Sequence, residues 1–107
     1  MRYGAFGLVE VVGSSNAVIV IDQMLKTADV SFLTWNGYCG GHETVFMTGD
    51  VSAVAAAVQA VKENPRCEIV FAAVISNPSE ETVRLAEEDA EKHGFLKKPA
   101  KKATTKK

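Results

Sequence analysis

Two cysteines and two histidines supply most of the reactive side-chain chemistry in this chain of 107 residues. Cys39 lies at the tip of the segment Asn36-Gly37-Tyr38-Cys39-Gly40-Gly41-His42. Three glycines in so short a stretch indicate a backbone that turns sharply or approaches another group closely. We therefore predict a tight loop that presents one thiol at a rigid edge. A symmetric assembly would convert that thiol into a ring of thiols.

A metal site is one chemistry that these residues suggest. Cys39 and Cys67 cannot supply four ligands within one chain, even with His42 and His93 added at these spacings. A cluster at Cys39 would therefore need ligands from several chains. Cys39 and His42 form a Cys-x-x-His pair, which suggests zinc, although His42 equally fits the first residue of a strand. Cys67 precedes an apolar strand and is predicted to be structural.

Other function classes find little support in the sequence. It contains no nucleophile–base pair, phosphate loop or paired carboxylates, so we predict that the protein is not an enzyme. No apolar run reaches the ~18 residues that a membrane span requires. The first residues, Met1-Arg2-Tyr3-Gly4, lack the basic and apolar regions of a signal peptide. We therefore expect a cytosolic protein without a membrane partner.

The charge is distributed unevenly along the chain. Residues 1–96 carry six Lys/Arg and thirteen Asp/Glu, a formal net charge of −7, whereas residues 97–107 carry six lysines and no acid. Such a tail cannot fold alone, and we assign residues 95–107 to a lysine-rich disordered tail. It could contact nucleic acid, an acidic surface or anionic cargo, but we interpret it as a solvated, solubilising tail and expect no nucleic-acid partner.

The elements that position the loop follow from hydrophobic periodicity. We predict strands at 5–12, 30–35, 43–48 and 68–75, and helices at 15–28, 51–62 and 78–93. The fourth strand is nearly continuously apolar, which suggests a central strand, covered on both faces or packed in an oligomer. Asn77-Pro78-Ser79-Glu80 predicts an N-cap at Asn77, followed by a charged, mostly solvated helix.

The order β-α-β-β-α-β-α predicts an α+β fold of the ferredoxin-like, split βαβ type with an added terminal helix. We assign this single domain to residues 3–94. With two helices on one face of the sheet, the other face and the sheet edges must be covered in another way. Self-association is one solution.

Three colinear motifs resemble the bacterial microcompartment (BMC) shell domain across about residues 3 to 80. They are Gly7-Leu8-Val9-Glu10, Asp22-Gln23-Met24-Leu25-Lys26-Thr27-Ala28-Asp29-Val30 and Thr48-Gly49-Asp50-Val51-Ser52-Ala53-Val54. The resemblance implies a cyclic homo-hexamer that tiles into the shell of a microcompartment in the cytoplasm. Its implied partners are other shell proteins and the encapsulated enzymes.

The resemblance also implies roles for individual residues. The loop between the second and third strands lines the axial pore in this family, which corresponds to Tyr38, Cys39, Gly40, Gly41 and the adjoining His42. Tyr38 either rings that pore or packs between subunits. The resemblance also places two residues at the edge between hexamers. They are Lys26, which matches the family's edge lysine, and Asn77, where the family usually has a basic residue, a departure that argues against strong sheet formation.

Cys39 makes the chain resemble one subgroup of this family. A minority of the family has a cysteine at this position and is associated with an iron–sulfur cluster in glycyl-radical microcompartments, although Gly40 departs from the proline that often follows it. The resemblance thus implies a [4Fe–4S] cluster at Cys39, for electron transfer or cluster delivery across the shell. Six identical thiols exceed what one cluster needs. The alternatives are a metal-free metabolite pore or a small ferredoxin-like regulator that binds a ligand.

Overall fold

A computed structural model describes residues 3–37 and 41–96. The element order is the predicted one, and the α+β fold is confirmed. The elements are β1 (Ala5–Val12), α1 (Ser14–Thr27), β2 (Ser31–Gly37), β3 (His42–Gly49), α2 (Val51–Glu63), β4 (Ile69–Ser76) and α3 (Glu80–Lys92). None of the described helices is long and apolar enough to cross a membrane.

The four strands form one antiparallel sheet in the order β2-β3-β1-β4. β1 therefore lies between β3 and β4, and Val9 is paired with Val45 on one side and with Ala72 on the other. This is the split βαβ arrangement, in which each helical connection passes over an intervening strand. The β2–β3 hairpin places the glycine-rich loop at one end of the sheet.

The position of β4 corrects one prediction. We expected a central strand covered on both faces, but β4 is an edge strand, paired with β1 alone among the described strands. Val70, Phe71 and Val74 are 45%, 55% and 37% exposed. A buried central strand and an edge strand with exposed apolar faces show the same continuous apolar sequence. Hydrophobic periodicity therefore could not distinguish the two positions. Packing of β4 in an oligomer stays a prediction.

The main core lies between one face of the sheet and the helices α1 and α2. Alternate residues of β1 point to this face, as the period of a strand requires. Gly7 permits the close approach, since a Cβ atom there would lie 3.1 Å from Val54 Cγ1 and 3.1 Å from Val58 Cγ2. Fully buried members of this core include Val9, Val11, Val20, Met24, Val45, Met47, Val54 and Val61.

Helix α3 covers part of the opposite face of the sheet. Its buried residues are Val83, Ala86 and Ala90, which pack with Phe6 and Leu33. The Thr34 hydroxyl donates to Asp89 Oδ2 at 2.7 Å and fixes the helix to β2. The prediction of a mostly solvated helix is therefore half correct. The charged side of α3 is exposed, while a narrow stripe of small and branched residues is buried.

The turn after α3 packs against β2. Phe95 lies with its ring centroid 5.0 Å from that of Phe32 and 5.8 Å from that of Trp35, both on β2. Leu96 packs against the second core cluster. The two edge strands therefore differ: β2 carries this aromatic cluster, whereas β4 carries exposed apolar side chains.

The close packing over Gly7 yields a stability prediction. Gly7→Val would force two methyl groups against Val54 and Val58, and overpacking of this kind costs about 1–3 kcal/mol of unfolding free energy. Urea denaturation at one fixed protein concentration measures the loss. Ala56→Val on the exposed side of α2 is the control and should cost no more than the propensity difference of at most about 0.7 kcal/mol. Equal losses in both variants would contradict the packing argument.

Candidate functional site

The candidate site is the hairpin loop between β2, which ends at Gly37, and β3, which begins at His42. Tyr38, Cys39 and Gly40, three of the predicted pore residues, lie outside the described residues. Gly41 is described and has φ 79°, while an added Cβ would meet nothing within 4 Å. Glycine is therefore favoured here by the left-handed backbone and not by crowding.

A backbone hydrogen bond ties the loop to the first strand–helix turn. The Gly13 N–H donates to the Gly41 carbonyl at 2.8 Å. Gly13 itself has φ 85° and occupies the N-cap position of α1, where no side chain caps the helix. The returning arm of the loop is thus fixed to the end of β1.

A side-chain contact adds a second tie to β1. His42 Nδ1 lies 2.7 Å from Glu10 Oε2, with the two side chains 42% and 30% exposed. His42 faces Val12 in the register and reaches Glu10 diagonally. His42 is the first residue of β3, as one of its two predicted roles required. Its ring is oriented by the carboxylate of Glu10.

Glu10 and His42 belong to a polar patch, which we define as Glu10, Asn36, His42 and Thr44. Thr44 pairs with Glu10 on one side and with Asn36 on the other, so the three residues form a row across β1, β3 and β2. Asn36 Oδ1 is buried and has no hydrogen-bond partner among the described residues. The sheet face under α3 is apolar at Phe6 and Phe46 and becomes polar toward the loop.

Sequence reasoning missed Glu10 and Asn36 as part of the site. The available signal was an acidic residue between two valines in a strand that is otherwise apolar. Which neighbour Glu10 would meet depends on the register between β1 and β3, which the sequence pattern alone did not define.

A metal held by one chain would need residues beyond those described. The part of the chain that the structure describes contains no group of three or more His, Cys, Asp and Glu side chains arranged around a common point. Cys67 is partly buried, and its Sγ lies 3.9 Å from the Asn16 carbonyl oxygen. Burial raises the pKa of the Cys67 thiol, which lowers its thiolate fraction and its value as a metal ligand.

The two predicted edge residues are both on the surface. Lys26 Nζ lies 3.1 Å from Asp22 Oδ2 one turn earlier on α1, and the lysine side chain is largely exposed. Exposed pairs of this kind contribute little to stability, so Lys26 is available for other contacts. Its predicted role between hexamers stays a prediction.

Asn77 is exposed but does not cap α3 as predicted. Ser79 is the N-cap, and its hydroxyl accepts from the Thr82 N–H at 3.2 Å. Asn77 instead has φ 50°, a left-handed conformation that asparagine tolerates, and its N–H donates to the Gly4 carbonyl at 2.8 Å. The residue makes the turn out of β4, and its edge role stays a prediction.

Residues 5–78, which include the four strands, the first two helices and the hairpin loop, match the family model of the BMC domain. The chain belongs to the BMC domain family. It is 35% identical over 80 residues to the carboxysome shell protein CcmK1 of Synechocystis sp., covering 71% of this chain and 72% of that protein. It is 38% identical over 60 residues to the bacterial microcompartment shell protein PduA of Salmonella typhimurium, covering 56% of this chain and 64% of that protein.

Other relatives share the domain over part of their length. The probable carboxysome shell protein CsoS1E of Prochlorococcus marinus is 34% identical over 82 residues, which is 72% of this chain but 39% of that protein. The crystal structure of a microcompartments protein from Desulfitobacterium hafniense superposes with a TM-score of 0.67 at 28% identity, covering 78% of this chain and 47% of that chain.

These matches confirm the predicted family and a structural role in the microcompartment shell. The hexamer, the pore assignment and the iron–sulfur subtype stay predictions.

Proposed function

We propose that this BMC domain protein forms a cyclic hexamer in a microcompartment shell and that Cys39 in its axial loop binds an iron–sulfur cluster. Each copy contributes one thiolate. Bound there, a [4Fe–4S] cluster supplies one-electron transfer across the shell or a cluster for enzymes inside it. The metal-free alternative is a metabolite pore lined by the same loop.

The observation that carries the proposal is the double attachment of the loop to β1. The Gly13–Gly41 hydrogen bond and the Glu10–His42 contact fix Gly41 and His42, which follow Cys39 closely in the sequence. A cysteine that binds a cluster together with the equivalent cysteines of neighbouring copies needs a loop backbone with few alternative conformations. Ordering a mobile loop on binding would cost free energy. The contacts at Gly41 and His42 reduce that cost.

The donor set agrees with iron–sulfur chemistry and requires more than one chain. Thiolates are the usual ligands of such clusters. Cys67 contacts the Asn16 carbonyl and has a raised pKa, so it is a poor second ligand within the chain. Cys39 thiols from several copies on one axis are therefore the source that we propose.

The β4 edge supports assembly into a ring. Its exposed Val70 and Phe71 line an open groove together with Val61 and Pro65, and Val74 is exposed further along the strand. An edge strand with exposed apolar side chains is covered in most proteins, since it otherwise promotes uncontrolled association. We propose that a second copy of the chain covers it.

The ring interpretation is preferred over a small ligand-binding regulator. A ferredoxin-like regulator would share the sheet topology, but the BMC domain match over residues 5–78 and the shell-protein relatives support the shell. Electron microscopy separates the two, because a dimeric regulator would form neither hexamers nor sheets.

Iron content tests the role of Cys39. Anaerobically purified protein should be brown, absorb near 400 nm and contain iron and sulfide, and Cys39→Ser should lose all three because it removes the thiolate from every copy. Cys67→Ser is the matched control and should keep them. Wild-type hexamers that stay colourless and iron-free after reconstitution would leave the metal-free pore as the function.

A charged substitution on β4 tests the proposed interface. Phe71→Glu places a carboxylate in the proposed contact, where its desolvation is unfavourable, and should convert hexamers into smaller species in light scattering. Leu85→Glu on α3 is the control, since Leu85 is equally exposed at 57% but lies away from β4. Hexamers that survive Phe71→Glu and dissociate with Leu85→Glu would move the interface to α3.

The edge lysine is tested by electron microscopy. Lys26→Ala should leave hexamers intact and abolish extended sheets, because the residue lies on the outer side of α1 and is not part of the core. Lys92→Ala, an exposed lysine in the last turn of α3, serves as the control and should keep the sheets. Unchanged sheets in Lys26→Ala would refute the edge role.

A further inference from the structure

We propose that His42 is a metal ligand in its own right, and that its Nε2 atom binds a divalent transition-metal ion such as Zn²⁺ between copies of the chain. The site is distinct from the thiol chemistry of Cys39. The inference rests on the ring assembly of the proposed function, because more than one copy must supply the ligands.

The contact with Glu10 prepares the imidazole for this role. Glu10 Oε2 lies 2.7 Å from Nδ1, so with the proton on Nδ1 the ring donates to the carboxylate and carries its lone pair on Nε2. Metal-binding histidines usually have a carboxylate or carbonyl partner on the second nitrogen, which fixes the ring and raises its basicity. His42 therefore has the outer partner of a metal ligand already in place.

The surroundings of His42 are polar and open. The side chain is 42% exposed and contacts Glu10, which lies in one row of the strand register with Thr44 and Asn36. Asn36 Oδ1 in that patch lacks a hydrogen-bond donor among the described residues. An acceptor without a donor indicates that the patch is incomplete within the described part of the chain, and a water molecule on a bound metal ion is a donor that would complete it.

Symmetry supplies the missing ligands. Zn²⁺ takes nitrogen ligands at about 2.0–2.1 Å and is four-coordinate in most structural sites. The described part of one chain offers no such set. In the proposed ring, every His42 lies at the same radius and height beside the axial loop, so neighbouring copies offer equivalent Nε2 atoms for one ion.

The competing explanation is a cross-strand pair with no ligand. Such a pair contributes modestly to stability and predicts no metal affinity. Metal binding therefore separates the two explanations, whereas a stability measurement does not.

The experiment is a Zn²⁺ titration by calorimetry into untagged, EDTA-treated, full-length Cys39→Ser protein, with its size checked by light scattering. The serine removes the axial thiols, so any site that remains does not depend on them. We expect fewer than one Zn²⁺ per chain, no binding in Cys39→Ser/His42→Ala, and a tenfold to hundredfold weaker affinity when Glu10→Gln is added. Cys39→Ser/His93→Ala, which removes the other histidine, should bind normally.

The outcomes distinguish this inference from the proposed function. Assembled Cys39→Ser protein that binds no Zn²⁺, or that binds it equally after His42→Ala, overturns the His42 site and leaves the ring intact. Zn²⁺ bound one to one by a protein that is monomeric overturns the shared site, and the monomer itself counts against the ring. Iron analysis of the wild type is independent of both results.

Discussion

The pairing of β1 between β3 and β4 is the constraint on which the rest of the structure depends. One face of β1 must be buried under α1 and α2, and Gly7 allows those helices to approach. The other face meets the α3 cluster at Phe6 and then becomes polar at Glu10. Because β1 ends beside the hairpin loop, the strand that builds the core also holds the functional loop through Gly13.

The sequence predicted the element order and the domain family because hydrophobic periodicity and three colinear motifs report local structure directly. It misjudged β4, since an apolar run does not reveal whether a neighbouring strand or a neighbouring subunit covers it. It placed the helix cap two residues early at Asn77, where the chain makes a left-handed turn before Ser79. It identified His42 but not Glu10, because that contact depends on strand register.

The asymmetry of the sheet links the fold to assembly. The β2 edge carries the aromatic contacts of Phe95, whereas β4 exposes Val70 and Phe71 in an open groove. In the proposed ring, a head-to-tail contact between β4 and a different surface of the next copy would bring identical loops to one axis, and a single loop cysteine would then form a multi-thiol site. The polar patch would then lie next to that axis, so that the proposed thiolate and imidazole sites would be neighbours without sharing a ligand.

The most direct test of the central claim is a cryo-EM structure of the assembled protein purified without oxygen. The account predicts six copies around an axis, with the β2–β3 loops converging and metal density within bonding distance of Cys39 Sγ. Loops that converge with no density between the thiols would contradict the cluster. An assembly in which Cys39 lies away from the axis would contradict the account as a whole.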